Sequence, residues 1–329
     1  MTEANQKKWL NVGKMFLAGI IFYLLVKTSQ LNLHLLGALV DNATLFFSFV
    51  AIIFMVVFIT AWRWHLLSDA QQVSLGLKKT LKPAYIGGAF NTLLPGSVGG
   101  DFIRCHYVFK RIPERKSAIL LTVFFDRVIG LMGILTTLCL AALLQIVFIA
   151  EQPKLFYLLL LLLCACGGLF IAILTLMVLP QRLGVSARLK RNYAHSKWAL
   201  RIAGYFDVFH QYRIPKMVIF KAVIISTIVE YLLVASLLII AKMMGLPALN
   251  FSQVVLALGM TLLVSVIPVT PGGIGVGEMA FANILLLLNP GSTIAYATIY
   301  LGYRLLSMLA YLPALWFYLP KINLLQKKI

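Results

Sequence analysis

The amino-acid sequence predicts an all-α polytopic membrane protein, on three observations. Hydrophobic residues fill 61% of the 329 positions and charged residues only 12%, with a mean hydropathy of +0.93, well outside the range of soluble domains. Apolar stretches of about 20 residues, the length a helix needs to cross the hydrocarbon layer, recur along the whole chain. The alternating pattern of a transmembrane barrel strand is not seen, so helices are left to satisfy the backbone in lipid. The expected architecture is a single transmembrane unit over residues 1–329, with about six full spans, two further helices broken by Pro and Gly, and an inverted repeat.

The first span is expected at Val12–Val26, after Lys7 and Lys8. It resembles a signal-peptide core, but no small-x-small cleavage site follows it, so it reads as a retained helix. Five more spans are expected at Asn42–Trp62, Ser117–Ala150, Leu155–Leu179, Met217–Ala241 and Thr293–Leu319. Two other segments, Pro83–Phe109 and Phe251–Leu288, are long enough for a helix yet carry Pro and Gly in their middle. Each reads as one broken span, as paired short helices, or as a re-entrant hairpin that enters and leaves on the same side.

Charge placement arbitrates among these readings. The formal net charge is +19, with 29 Lys and Arg against 10 Asp and Glu, yet the basic residues collect between the spans, which disfavours nucleic acid as a partner. If both broken segments turn back, one side receives the amino terminus and the loop with Lys78, Lys79 and Lys82. It also receives the loop with Lys110, Arg111, Arg115 and Lys116, the long segment Gln181–Lys216, and the tail with Lys321, Lys327 and Lys328. The other side receives Lys27, Lys154 and Lys242. The positive-inside rule then places both termini in the cytoplasm. Within Gln181–Lys216, Trp198, Ile202, Tyr205, Phe206 and Phe209 follow helical spacing beside Lys197 and Arg201. This reads as an amphipathic helix on the anionic inner leaflet or as one packed under the bundle.

The broken segments also resemble each other. "PGSVGGD" at Pro95–Asp101 and "PGGIGVGE" at Pro271–Glu278 share a Pro-Gly turn, a β-branched residue, a further Gly and then an acid. Two such elements inserted from opposite faces are what an inverted repeat produces, with a site between them near the midplane. The alternative is a pair of glycine-rich packing surfaces. Pro95, Gly96, Pro268 and Pro271 are the expected hinges. Asn91, Gly99, Gly100, Gly272, Gly273 and Gly275 are expected to present backbone N–H groups and a positive helix end to an anionic headgroup, phosphate being the natural one.

Ionisable residues inside spans cost about 2.5 to 3.5 kcal/mol each on insertion scales, so each is a site candidate. They are Asp101, Arg104, Asp126, Arg127, Glu230, Glu278 and Arg304. Asp101 and Arg104, at i and i+3, share a helix face and are able to pair. Asp126 and Arg127 lie about 13 Å into their span and point about 100° apart, so each needs a partner on another helix. Glu230 has no basic neighbour in sequence. These groups read either as interhelical ion pairs or as a polar interior that holds a headgroup and couples protons. Cys105, Cys139, Cys164 and Cys166 lie in or beside apolar runs without metal-ligand spacing and read as packing residues. No zinc pattern, P-loop or nucleophile-and-base arrangement appears, so neither catalysis, a metal nor a cofactor is expected.

"NTLLPGSVGGDFIR" at Asn91–Arg104, "FFDRVIGL" at Phe124–Leu131 and "PVTPGGIGVGEMAF" at Pro268–Phe281, in this order, strongly resemble the lysylphosphatidylglycerol synthetase transmembrane family over nearly the entire chain. The resemblance implies a bacterial or archaeal membrane domain. In multiple-peptide-resistance factors that domain works as the flippase for aminoacylated phosphatidylglycerol and is followed by a soluble aminoacyl-transferase domain. Here the sequence ends at Ile329, shortly after the last expected span. The expectation is therefore a flippase-like lipid translocase without lipid synthesis, moving a phosphate-containing lipid or lipid-linked headgroup. In it Arg104, Arg127 and Arg304 hold phosphate, while Asp101, Asp126, Glu230 and Glu278 pair with them or couple protons. Alternatives are a non-transporting accessory protein of envelope lipid or glycan synthesis, or a small-solute transporter. Expected partners are the phosphate lipid, anionic inner-leaflet lipids, and a second copy of the chain or an envelope-synthesis enzyme.

The charge partition makes a direct prediction. Cysteines placed in Gln181–Lys216 should be unreactive towards an impermeant thiol reagent in intact cells and should react once the cells are opened. Labelling of that segment in intact cells would reverse the orientation.

Overall fold

The computed structural model describes residues 19–21, 23–27, 31–73, 76–93, 99–182, 185–192, 196, 198, 214–266, 270 and 273–316. The hinge candidates Pro95, Gly96, Pro268 and Pro271, with Gly272, lie outside them, as do most of the expected first span and of the Trp198–Phe209 helix. The described elements are all helical: a 3-10 helix Leu33–Val40, then α1 Ala43–Ala70, α2 Leu77–Leu93, α3 Gly99–Phe109, a 3-10 turn Pro113–Arg115, α4 Lys116–Leu144, α5 Ile146–Glu151, α6 Pro153–Arg182, α7 Val185–Asn192, α8 Lys216–Met243, α9 Phe251–Ser265, α10 Val276–Leu288 and α11 Tyr296–Trp316.

Among the described residues, three helices are long and apolar enough to cross a membrane: α1, the stretch Pro113–Leu144 containing α4, and α8. α6 and α11 coincide with two further expected spans. α1 starts where Asn42 caps it by accepting from the Leu45 N–H at 3.1 Å, an arrangement that satisfies an otherwise orphaned donor. It runs past the expected end at Trp62 to Ala70. α2 likewise begins before Pro83, so Lys78, Lys79 and Lys82 ride on its first turns rather than in a loop. The proline, close to the helix start, removes a single backbone bond there without ending the helix.

Both broken segments turn back on themselves. In the first, the Asn91 Oδ1 of α2 accepts from the Gly100 N–H of α3 at 2.9 Å, and Gly87 lies against Gly100 and Arg104. In the second, Gln253 near the start of α9 donates to the Leu288 carbonyl at the end of α10, 3.5 Å away. Each pair is thus an antiparallel hairpin. Its arms are short: 11 residues in α3 and 13 in α10, or roughly 16 and 20 Å of helix against a hydrocarbon layer of about 30 Å. Neither reaches across such a layer.

The hairpins belong to a four-helix unit that occurs twice, α1–α4 and α8–α11. α1 packs on α2 and α8 on α9; α2 on α3 and α9 on α10; α3 on α4 and α10 on α11; α1 on α4 and α8 on α11. Between the units, α4 packs on α8 and α9, and α11 packs on the equivalent α1 and α2. α1 and α8 meet each other at the centre and run antiparallel, since Leu67 sits by Ala222 at one end while Leu39, just before α1, sits near Ile240 and Met244 at the other. Equivalent helices that run in opposite directions require a two-fold axis across the bundle rather than along it, the geometry of an inverted repeat.

The outer surface is apolar. Phe54, Phe58 and Trp62 on α1, Phe220, Ile224 and Ile228 on α8, and Leu305, Leu309 and Leu312 on α11 are exposed at helical spacing, while Arg63, Arg104, Asp126, Glu230 and Glu278 are buried. That inversion of the soluble pattern suits a lipid surround.

At Gly100 a Cβ would lie 2.0 Å from the Gly87 carbonyl oxygen, whereas Gly99 has nothing within 4 Å. Close approach therefore rests on Gly100. Gly100→Ala should lower the detergent melting temperature by an overpacking penalty of about 1–3 kcal/mol, and Gly99→Ala should melt like the parent.

Candidate functional site

Five charged side chains from three helices form one lattice inside the first unit. Asp126 of α4, 1% exposed, accepts from Arg63 Nε at 2.8 Å and from Arg104 Nη2 at 2.9 Å. Arg63 belongs to α1 and also donates through Nη1 to the Ser226 hydroxyl of α8 at 2.7 Å. The Arg104 guanidinium lies 4.2 Å from the ring centroid of Trp64, a cation–π contact that favours a desolvated arginine. Trp64 is held in turn by an Nε1 bond to the Thr122 hydroxyl at 3.2 Å. Asp101 sits in the first turn of α3, where the helix dipole favours an acid. It accepts from Arg127 Nε at 2.7 Å and lies 3.5 Å from Arg104 Nη1.

Among the described residues this lattice holds three arginines against two aspartates, one surplus positive charge. Its members differ in access: the side chains of Arg63 and Arg104 are 9% and 8% exposed, that of Arg127 is 47% exposed. Arg127 is the end at which an anion from outside the bundle can be met.

The second unit carries a reduced version. Glu278, in the first turn of α10 and wholly buried, accepts from Arg304 Nη1 of α11 at 3.1 Å and from the Gly275 N–H at 2.8 Å. Arg304 also donates to the Gly273 carbonyl at 3.0 Å. Gly275 has φ +83°, a left-handed conformation that strains other residues. The two acid–arginine pairs have the same spacing, 26 residues from Asp101 to Arg127 and from Glu278 to Arg304. The step that carries one pair onto the other carries Arg104 to Phe281 and Asp126 to Tyr303. Where the first unit has an ion pair, the second has a cluster of tilted aromatic rings, Phe281–Tyr300 at 5.3 Å and Tyr300–Tyr303 at 5.8 Å.

Sequence reasoning placed Asp126 and Arg127 with partners on other helices, and the structure supplies Arg63 and Arg104 for one and Asp101 for the other. It brings Asn91, Gly100, Asp101, Arg104, Asp126 and Arg127 together, and separately gathers Gly273, Gly275, Glu278 and Arg304. Gly99 adjoins the first cluster without a packing contact. Glu230 lies between the two clusters, feeling Arg63 on one side and Tyr300 and Tyr303 on the other. The N–H groups of Gly100, Gly273 and Gly275, expected to face an anion, are already bound by the Asn91 side chain, the Thr270 carbonyl and Glu278. Arg63, Trp64 and Ser226 went unrecognised. The available signal was "TAWRWHLL", in which apolar residues continue past the arginine; ending the span at the charge hid it.

The family model for the lysylphosphatidylglycerol synthase TM region matches residues 11–314. No curated protein and no solved structure matches the chain.

Because Asp126 joins three helices, Asp126→Asn should destabilise the bundle by about 3–5 kcal/mol, leaving Arg63 buried without its carboxylate and Arg104 with only the more distant Asp101. Arg127→Gln breaks a half-exposed pair and should cost no more than about 1 kcal/mol. Detergent melting of the two variants side by side checks the contrast; equal losses would refute it.

Proposed function

The chain belongs to the lysylphosphatidylglycerol synthase transmembrane family, and on that premise we propose that it is a flippase-like translocase of a phosphate-bearing lipid, and not an enzyme. The observation that carries the reading is the surplus positive charge of the Arg63–Asp126–Arg104–Asp101–Arg127 lattice, buried at one end and open at Arg127. A phosphate headgroup arriving at Arg127 competes with Asp101 for a guanidinium whose planar fork suits bidentate contacts. Its acyl or prenyl tails stay against the apolar outer surface. Two hairpins related by an inverted repeat support alternating access, in which one unit rocks against the other.

The reading sets the protein in the bacterial inner membrane with both termini in the cytoplasm, supported by the placement of loop Lys and Arg. The exposed Arg188, Lys190 and Arg191 of α7 suit contact with anionic inner-leaflet lipids. A second copy of the chain or an envelope-synthesis enzyme fits the same surroundings.

The test is flipping of acyl-labelled phosphatidylglycerol in proteoliposomes. Arg127→Gln should reduce the rate at least tenfold while melting close to the parent, and Arg127→Lys should recover part of it. Normal flipping by a well-folded Arg127→Gln variant would remove the phosphate role. A wild type that flips nothing would favour the accessory protein.

A further inference from the structure

Asp101, Asp126 and Glu278 each have an arginine nitrogen within 3.5 Å. Glu230 has none among the described residues: it is 8% exposed and its Oε2 is buried without a hydrogen-bond partner. Ser226, one turn earlier on the same face of α8, holds Arg63. Glu230 thereby stands next to the positive lattice without being tied into it. A charged carboxylate in such a place lacks the bonds that offset its lost hydration. A proton removes that cost.

The groups facing Glu230 come from each helix around it. α1 supplies Arg63, and α4 supplies Asp126 behind that arginine. α11 supplies Tyr300 and Tyr303 beside Arg304 and Glu278. α9 carries no titratable side chain. Among the described residues, three acids balance Arg63, Arg104 and Arg127 when Glu230 is ionised; with Glu230 neutral, one positive charge is left over.

We infer that Glu230 is a proton-binding site whose occupancy sets the affinity of the arginine lattice for an anionic headgroup, so that proton and phosphate lipid are carried together. The inference rests on the translocase reading. A proton from the aqueous phase adds to the Glu230 carboxylate, the lattice gains its surplus charge, and the headgroup binds; when the headgroup leaves on the other side the proton follows it to water. Linkage makes the effect reciprocal, since bound phosphate must strengthen proton binding by the same factor.

Two measurements test this. Infrared difference spectra of the purified protein, titrated from about pH 5 to about pH 9 across the range open to buried carboxyls, should show a carboxylic C=O stretch that is missing in Glu230→Gln. In proteoliposomes, flipping of acyl-labelled phosphatidylglycerol should rise several-fold under an imposed pH gradient. Glu230→Gln, a permanent mimic of the neutral acid, should flip at a rate the gradient leaves unchanged. Glu230→Asp, which keeps a carboxyl, should retain a response. A Glu230 that stays ionised throughout the titration, or a gradient response surviving in Glu230→Gln, overturns the proton role and leaves the lipid reading standing. A wild type that flips no probe overturns the lipid reading and the coupling with it.

Discussion

The carboxylate of Asp126 is the constraint on which the rest of the first unit depends. Buried in α4, it is paired on one side with Arg63 of α1 and on the other with Arg104 of α3. An ion in a low-dielectric interior is tolerable only with its counter-charges in place. The short hairpin arm α3, the long helix α1 and the long helix α4 are therefore bound to a common register. Ser226 extends that register to α8 through Arg63, and the Trp64 ring covers Arg104. Because Arg104 is committed to this lattice, Asp101 is left to bind Arg127 at the accessible end.

The two units show what a repeat preserves and what it gives up. Both keep an acid in the first turn of the second hairpin arm and an arginine on the helix that follows. That conserved device lets a short helix end inside the bundle, with its dipole and its charge both answered. Only the first unit keeps the Arg104–Asp126 pair, which Phe281 and Tyr303 replace in the second. The second unit consequently adds aromatic packing, with Phe281 fully buried, to its single Glu278–Arg304 pair, where the first has a wider set of charges. The asymmetry puts the surplus positive potential on one side of the central α1–α8 contact and Glu230 close to that contact.

Much of this was legible beforehand. Hydropathy located the spans of α1, α4 and α8, because a helix in lipid has to be apolar over a known length. Pro and Gly located both hairpins, since clusters of those residues disfavour a continuous helix. The 100° step between Asp126 and Arg127 required each of them to find a partner on another helix. What could not be read was which partners, since a contact between α1 and α4 depends on how helices distant in sequence come together.

The sequence by itself determined that the chain is a helical membrane protein with two broken segments and a set of intramembrane charges, because composition and local backbone chemistry act at short range. Tertiary structure decided that each broken segment is an antiparallel hairpin and that Arg63 belongs to the charged lattice. It also decided that Gly100 rather than Gly99 is the point of closest approach, and that Glu230 alone among the described acids of this interior lacks an arginine partner. Those outcomes follow from distances between residues remote in the chain, and ion pairing and steric exclusion act only when such distances have closed to a few ångströms.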